Sequence, residues 1–216
     1  MVLFFSQLRL FLRPSLIKQT ISTMKRVLLV LVCAASFTAL NAQVKFGIKA
    51  GANFANLVGD DAEGSKTKVG FNAGAQVQIP VSSSISVQPE AVISLQGAKG
   101  ESDSKINLTY LNVPVMLTWT GASGFFAQTG PQIGFLMSAK AKVGDESEDV
   151  KEFFKSTDFS WGFGLGFASQ SGFGVNGRFN LGLSDIVEEA KFKNSVIQVG
   201  VFYNLGGGAA ASKASK

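Results

Sequence analysis

"FSWGFGLGFA", residues 159–168, decides the fold. Phe159, Trp161, Phe163, Leu165 and Phe167 take every second position, with Ser160, Gly162, Gly164 and Gly166 between them. A period of two is that of a β-strand, whose successive side chains point to opposite faces. A helix here would carry three interior glycines, each costing about 1 kcal/mol relative to alanine. The stretch therefore predicts a strand with one bulky apolar face and one nearly bare face, and the fold follows from the medium that the apolar face meets.

The same period recurs through seven further segments: 44–57, 68–80, 85–98, 106–120, 125–141, 173–184 and 195–205, with 158–168 sixth in chain order. In 44–57, Phe46, Ile48, Ala50, Ala52 and Phe54 oppose Lys45, Gly47, Lys49, Gly51 and Asn53. In 195–205, Ile197, Val199, Val201, Tyr203 and Leu205 oppose Gln198, Gly200 and Asn204. Segment 125–141 is the least regular, with Ile133, Phe135 and Met137 opposing Gln132, Gly134, Ser138 and Lys140. Short connections at 81–84, 121–124 and 169–172 alternate strictly with long ones at 58–67, 99–105, 142–157 and 185–194. An up-and-down antiparallel sheet then gathers all long loops at one end and both termini of the sheet at the other.

Charge divides in the same way. The four long loops hold 21 charges in 43 residues, 13 acidic and eight lysine, whereas the eight strands hold seven in 107. A wet protein surface carries about 25–35% charged residues, so neither strand face is an ordinary aqueous surface. In a soluble sandwich or a lipocalin-like barrel binding a small apolar ligand, the Phe, Trp and Leu rows would crowd a narrow interior behind a poorly charged exterior. In a membrane barrel they face lipid, and the small polar residues fill the lumen. Each Phe or Trp presents about 150–250 Å², so eight such rows far exceed the few hundred Å² of apolar patch a soluble monomer tolerates. The segments also reach or exceed the roughly 9–11 residues that a tilted strand needs to cross hydrocarbon, where only closure pairs every backbone N–H and C=O. The predicted fold is all-β, an eight-stranded antiparallel up-and-down transmembrane β-barrel over 43–206.

Residues 1–42 read as an upstream extension followed by a secretory signal peptide over 24–42. Met24, Lys25 and Arg26 precede "VLLVLVCAASFTAL", and small Ala42 comes just before Gln43. Translation from Met24 is favoured over an organellar presequence in 1–23. The overall charge of +5 belongs to this region, because removing its five basic residues from 20 leaves 15, which balance the 15 acids. Only Arg178 remains as arginine, so no basic stripe for nucleic acid is expected. The single cysteine, Cys33, lies in the signal, which leaves no disulfide or thiolate metal site downstream. Residues 207–216 read as a flexible C-terminal tail.

"KFGIKAGANFANL" at 45–57, "YLNVPVMLTW" at 110–119, "TGPQIGFLMSAK" at 129–140 and "FKSTDFSWGFGLG" at 154–166 resemble the PorT-like outer-membrane β-barrel family, over essentially all of 44–205. The resemblance implies a small barrel in the outer membrane of a diderm bacterium, with lipid and the barrel-insertion machinery as partners. One branch of that family is tied to type IX secretion and gliding, and most members have no assigned activity. This chain departs from the pattern at Asn112, where relatives often carry an acid, and after Leu205, where they usually end on an aromatic residue.

Glu90 and Arg178 each lie about six residues from a short turn, on the third and seventh strands, which sets them at similar depth on opposite lumen walls. Lys49 on the first strand is at comparable height. An unpaired buried charge is costly, so a lumen cluster of Glu90, Arg178 and Lys49 is expected, as a structural plug rather than a gate. Trp119, Trp161 and Tyr203 are expected in the aromatic belt at the membrane interface. Pro114 and Pro131 are expected to mark bulges. Segment 145–155, "DESEDVKEFFK", has helical charge spacing and is expected to cap the loop end, without the ordered ligand spacing of a calcium loop. "GFGLG" keeps strand spacing with no helix after it, so it is no nucleotide loop. No cofactor or metal site is expected. With no histidine in the chain, acid–base or nucleophilic catalysis of the usual outer-membrane kinds lacks its common participant. A structural, binding or scaffold role through the long loops, toward a protein partner, is the favoured function over an enzyme or a diffusion pore.

Overall fold

The computed structural model describes residues 44–205 except 61, 63, 101–103 and 189. The expectations for 1–42 and for the tail at 207–216 lie outside the described residues. The chain forms β1 (Lys45–Val58), β2 (Lys66–Pro80), β3 (Ile85–Lys99), β4 (Ser104–Thr120), β5 (Phe125–Val143), β6 (Glu146–Asp149), β7 (Thr157–Ala168), β8 (Phe173–Gly182) and β9 (Lys193–Leu205). Every pairing is antiparallel, and eight of the strands close into a ring, β1-β2-β3-β4-β5-β7-β8-β9. The seam is the β1–β9 ladder, continuous from Phe46 opposite Leu205 to Val58 opposite Lys193. Closure leaves the barrel wall without an exposed edge.

Two-faced strands explain the ring. Outside are rows such as Phe159, Trp161, Phe163, Leu165 and Phe167 on β7, with Leu165 69% exposed, and Phe71 on β2, 67% exposed. Inside are polar and small residues: Asn53, Asn72, Gln76, Ser94, Gln128, Ser160 and Asn180 are all buried. This is the reverse of a soluble barrel, and the lipocalin-like alternative is not favoured. The bare face of the opening stretch also acquires a reason. A Cβ on Gly166 would lie 2.3 Å from the Phe126 ring, on Gly164 2.6 Å from the Gln128 amide, and on Gly174 2.1 Å from the Phe202 ring. Glycines on β7 and β8 thus make room for the large side chains paired with them on the adjacent strands, Gln128 and Phe126 of β5 and Phe202 of β9. Two of the short turns close on glycines in the left-handed region, Gly124 (φ 92°) and Gly172 (φ 93°), a conformation that costs a Cβ-bearing residue.

Three local expectations change. First, Pro114 and Pro131 do not mark the bulges. The β4–β5 ladder runs at constant register from Tyr110–Leu136 to Thr120–Phe126, through both prolines. A missing N–H removes one ladder bond without requiring an extra residue. Second, the register shift falls between Thr109 and Tyr110, opposite Ser138 and Leu136, so Met137 is the extra residue. Beyond it the faces of β5 exchange: Ala139 is buried and Lys140 exposed, whereas uninterrupted alternation had placed Ser138 and Lys140 inside. A second shift lies in β2 between Thr67 and Asn72. Third, 145–155 is not helical. Its first part is β6, which folds back on the end of β5 from Val143–Glu146 to Lys140–Asp149, and only Lys151–Phe153 makes a single 3-10 turn. Pairing with the projecting end of β5 satisfies the backbone of Glu146–Asp149, whose residues are all exposed.

The loop end is closed from within. Ile186, fully buried, joins Leu57, Leu108, Tyr110, Leu136 and Ala139 in an apolar cluster, against which Val150, Phe154, Val187 and Phe192 pack. The loops that supply it are tied together by an isolated bridge between Phe154 and Val187 and by the Lys155 N–H donated to the Ile186 carbonyl. Farther out, Lys191 donates to Asp60 at 3.0 Å and holds that carboxyl below its usual range.

The lipid assignment makes a measurable distinction along the wall. Phe163→Arg, midway along β7, should lower unfolding free energy in phospholipid vesicles by about 2–4 kcal/mol, and Phe173→Arg, next to a short turn, by about 0–1. Urea titrations in vesicles test this, and equal, negligible effects at both positions would put the row in water.

Candidate functional site: the polar layers of the lumen

Inner positions of β1 repeat every four residues from the turn end to the loop end: Lys45, Lys49, Asn53 and Leu57. Each marks a layer. Leu57 belongs to the apolar cluster. Asn53, fully buried, accepts from Asn72 Nδ2 (2.6 Å) and Gln198 Nε2 (3.1 Å) and donates to Ser94 Oγ (2.9 Å), joining β1, β2, β3 and β9.

In the Lys49 layer the structure brings Glu90, Arg178 and Lys49 together. Arg178 Nη1 donates to Glu90 Oε2 at 2.9 Å and Nη2 to Oε1 at 2.6 Å, while Lys49 Nζ donates to Oε2 at 2.8 Å. Gln88 Nε2 adds a bond to Oε1 at 2.8 Å, and Arg178 Nη2 also reaches Gln128 Oε1 at 3.2 Å. The bidentate fork is the strong form of such a pair. In the eight-strand ring β3 and β8 are four steps apart, so the Glu90–Arg178 pair crosses the full diameter of the barrel. Gln88 continues the network to Gln76 (3.3 Å), and Gln76 to Asn204 (2.9 Å).

A second buried acid escaped the sequence reading. Asp158 accepts from Asn194 Nδ2 at 2.8 Å and Ser184 Oγ at 3.2 Å, and no ion pair engages it among the described residues. Its signal was present, since it shares the small-residue face of β7 with Ser160, Gly162 and Gly164, yet it stands at the strand start, where a solvated loop charge is the ordinary expectation. Asn112, at the position noted for its departure, is buried with its amide nitrogen unpartnered.

The three belt residues do not share one level. Trp119 and Tyr203 lie near short turns, where Tyr203 packs on Phe173 with ring centroids 5.2 Å apart and Phe125 similarly meets Phe167 at 5.2 Å. Trp161 sits seven residues in from Ala168, and its Nε1–H is donated to Thr129 Oγ1 at 2.8 Å. Among the described residues no cluster of three or more His, Cys, Asp or Glu could hold a metal.

Removing one partner of a buried ion pair costs about 3–5 kcal/mol, because it strands the other. Glu90→Gln leaves two buried cations and should lose that much, while Lys49→Met, which keeps the Arg178 fork, should lose less. Urea unfolding midpoints in vesicles give the comparison; an unchanged Glu90→Gln midpoint would show that the cluster holds nothing together.

A family model described as an outer membrane protein beta-barrel domain matches residues 35–188. Among solved structures, Neisserial surface protein A superposes with a TM-score of 0.53 at 11% identity, covering 74% of this chain and 97% of that one. Ail, the attachment invasion locus protein of Yersinia pestis, is 15% identical over 74% of this chain and 98% of its own, with a TM-score of 0.45. OprG from Pseudomonas aeruginosa is 14% identical over 74% and 95%, with a TM-score of 0.42. Curated protein sequences gave no match. With its apolar exterior, its closed ring and a family match over well more than half its length, the chain belongs to the outer membrane protein beta-barrel domain family and is a protein of the bacterial outer membrane.

Proposed function

We propose that this protein is a non-enzymatic, closed barrel that anchors a binding or scaffold surface, its long loops, in the outer membrane. The observation that carries the proposal is the double blockage of the lumen: Ile186 and its apolar neighbours fill the loop end, and the Glu90–Arg178–Lys49 cluster crosses the middle. A pore needs a continuous wet path, and eight strands leave room for little beyond side chains. What remains available to a partner is the loop end, where 13 acids and eight lysines are concentrated. On this proposal the ion cluster is a structural plug, and Trp119 and Tyr203 help seat the barrel at the interface. The barrel-insertion machinery delivers the protein. The resemblance to PorT-like barrels favours a component of secretion machinery as the loop partner.

Two measurements test the proposal. Purified protein in planar bilayers should give no stepwise conductance. A photo-crosslinking residue at Ser147 or Glu152, in the long β5–β7 connection, should capture a secretion component from intact cells, while one at Ser83, in a short turn, should not. Discrete channel openings, or adducts from Ser83 alone, would overturn it.

A further inference from the structure

The turn end of the lumen holds a cavity of about 210 Å³ that reaches the β7–β8 turn. Lys45, Lys49 and Arg178 line it, together with side-chain amides and Thr118, and no carboxylate is among the lining residues. Glu90 lies behind this lining with its oxygens already engaged by Lys49, Arg178 and Gln88. The cluster of two cations and one acid therefore keeps one net positive charge, and its side chains are almost wholly removed from solvent. Asp158, the other buried acid, does not balance it. It is six residues along β7 from Gly164, the partner of Arg178, or about 20 Å of strand.

Donors are also left over. Arg178 Nε and Thr118 Oγ1 are buried without a hydrogen-bond partner among the described residues, although both side chains line the cavity. An unmatched buried charge and unmatched buried donors are each unfavourable, and here they belong to side chains that line one space. Water alone supplies acceptors but no counter-charge. A small oxyanion supplies both, and at about 30 Å³ per water molecule the cavity has room for one such group with several waters.

We propose that this cavity binds a small oxyanion, a phosphate or carboxylate group, entering from the turn end of the barrel. Lys49 and the Arg178 Nε–H supply charge-assisted donors, Thr118 a neutral one, and Lys45 draws the anion to the mouth. Short turns face the periplasm in barrels of this class, so the ligand would come from that compartment. The site is independent of the loop partner proposed above.

Calorimetric titration of the folded protein in an uncharged detergent, with sodium phosphate or sodium acetate replacing sodium chloride at constant ionic strength, tests the proposal. Saturable one-to-one binding is expected, and the tighter of the two anions identifies the group. Lys49→Gln should weaken it about tenfold or more, the scale of one charge-assisted hydrogen bond, and Lys45→Gln should weaken it less. Should Lys49→Gln not fold, Thr118→Val and the nitrogen-15 shift of Arg178 Nε replace it: the variant should weaken binding and the shift should move with the anion. Binding of neither anion, or binding unaffected by Lys49→Gln and Thr118→Val with an unmoved Arg178 shift, would overturn the proposal.

Discussion

Hydrocarbon offers no hydrogen bonds, and from that constraint the rest of the molecule follows. A wall of strands in lipid must pair all its backbone groups with itself, so β9 must meet β1. Once the ring is closed, the inner side chains are as cut off as the outer ones, but they are polar, and so they must satisfy one another. The layers at Lys49 and Asn53 are the outcome, each linking strands that no hairpin joins. Ring geometry supplies the remaining condition, since a narrow lumen accommodates large side chains only where the paired position on the adjacent strand is bare. Gly164, Gly166 and Gly174 provide that space for Gln128, Phe126 and Phe202, which answers why the apolar row of β7 is interleaved with glycine.

A buried ion pair is weak evidence for net stability, because the desolvation of both charges offsets much of their attraction. Its geometry is more informative than its energy. On the proposed plug role, Glu90, Arg178 and Lys49 act on pairing specificity: a one-residue slip of β1, β3 or β8 would turn a charge from the lumen to the lipid, a far larger penalty than any weakening of the cluster. The wall itself is made of local hairpins, and the long-range β1–β9 seam is the step most in need of such a discriminator. Contacts between Arg178 on β8 and Glu90 on β3 span that seam.

The barrel was legible in the sequence because lipid and lumen impose a period of two on every strand, and because short turns fix depth by simple counting. Counting six residues from a turn was enough to set Glu90 opposite Arg178. Where the period breaks, legibility ends. The extra residue Met137 exchanges the faces of β5, and nothing in "FLMSAK" distinguishes a bulge from irregular alternation. The prolines looked like interruptions, but the ladder passes them in register. Ile186, Phe154 and Phe192 lie among charged loop residues with no periodicity, and only the tertiary fold shows that they close the loop end. β6 read as helical because its charges alone were weighed, whereas the free end of β5 decided its conformation.

The two ends of the lumen differ in kind. The loop end is sealed by apolar side chains with Ile186 at their centre, while the turn end opens onto a cavity lined by cations and amides. Between them the Asn53 network ties β1, β2, β3 and β9 together with hydrogen bonds. An apolar seal tolerates changes in the charged residues outside it, since those residues do not enter its packing. The loops are thus free to vary in charge without disturbing the ion cluster beneath. The cluster answers to the opposite compartment, because the cavity it lines is the one at the turns. Contact at the outer surface and the proposed binding at the inner mouth are therefore physically separable, carried at opposite ends of one continuous hydrogen-bonded wall.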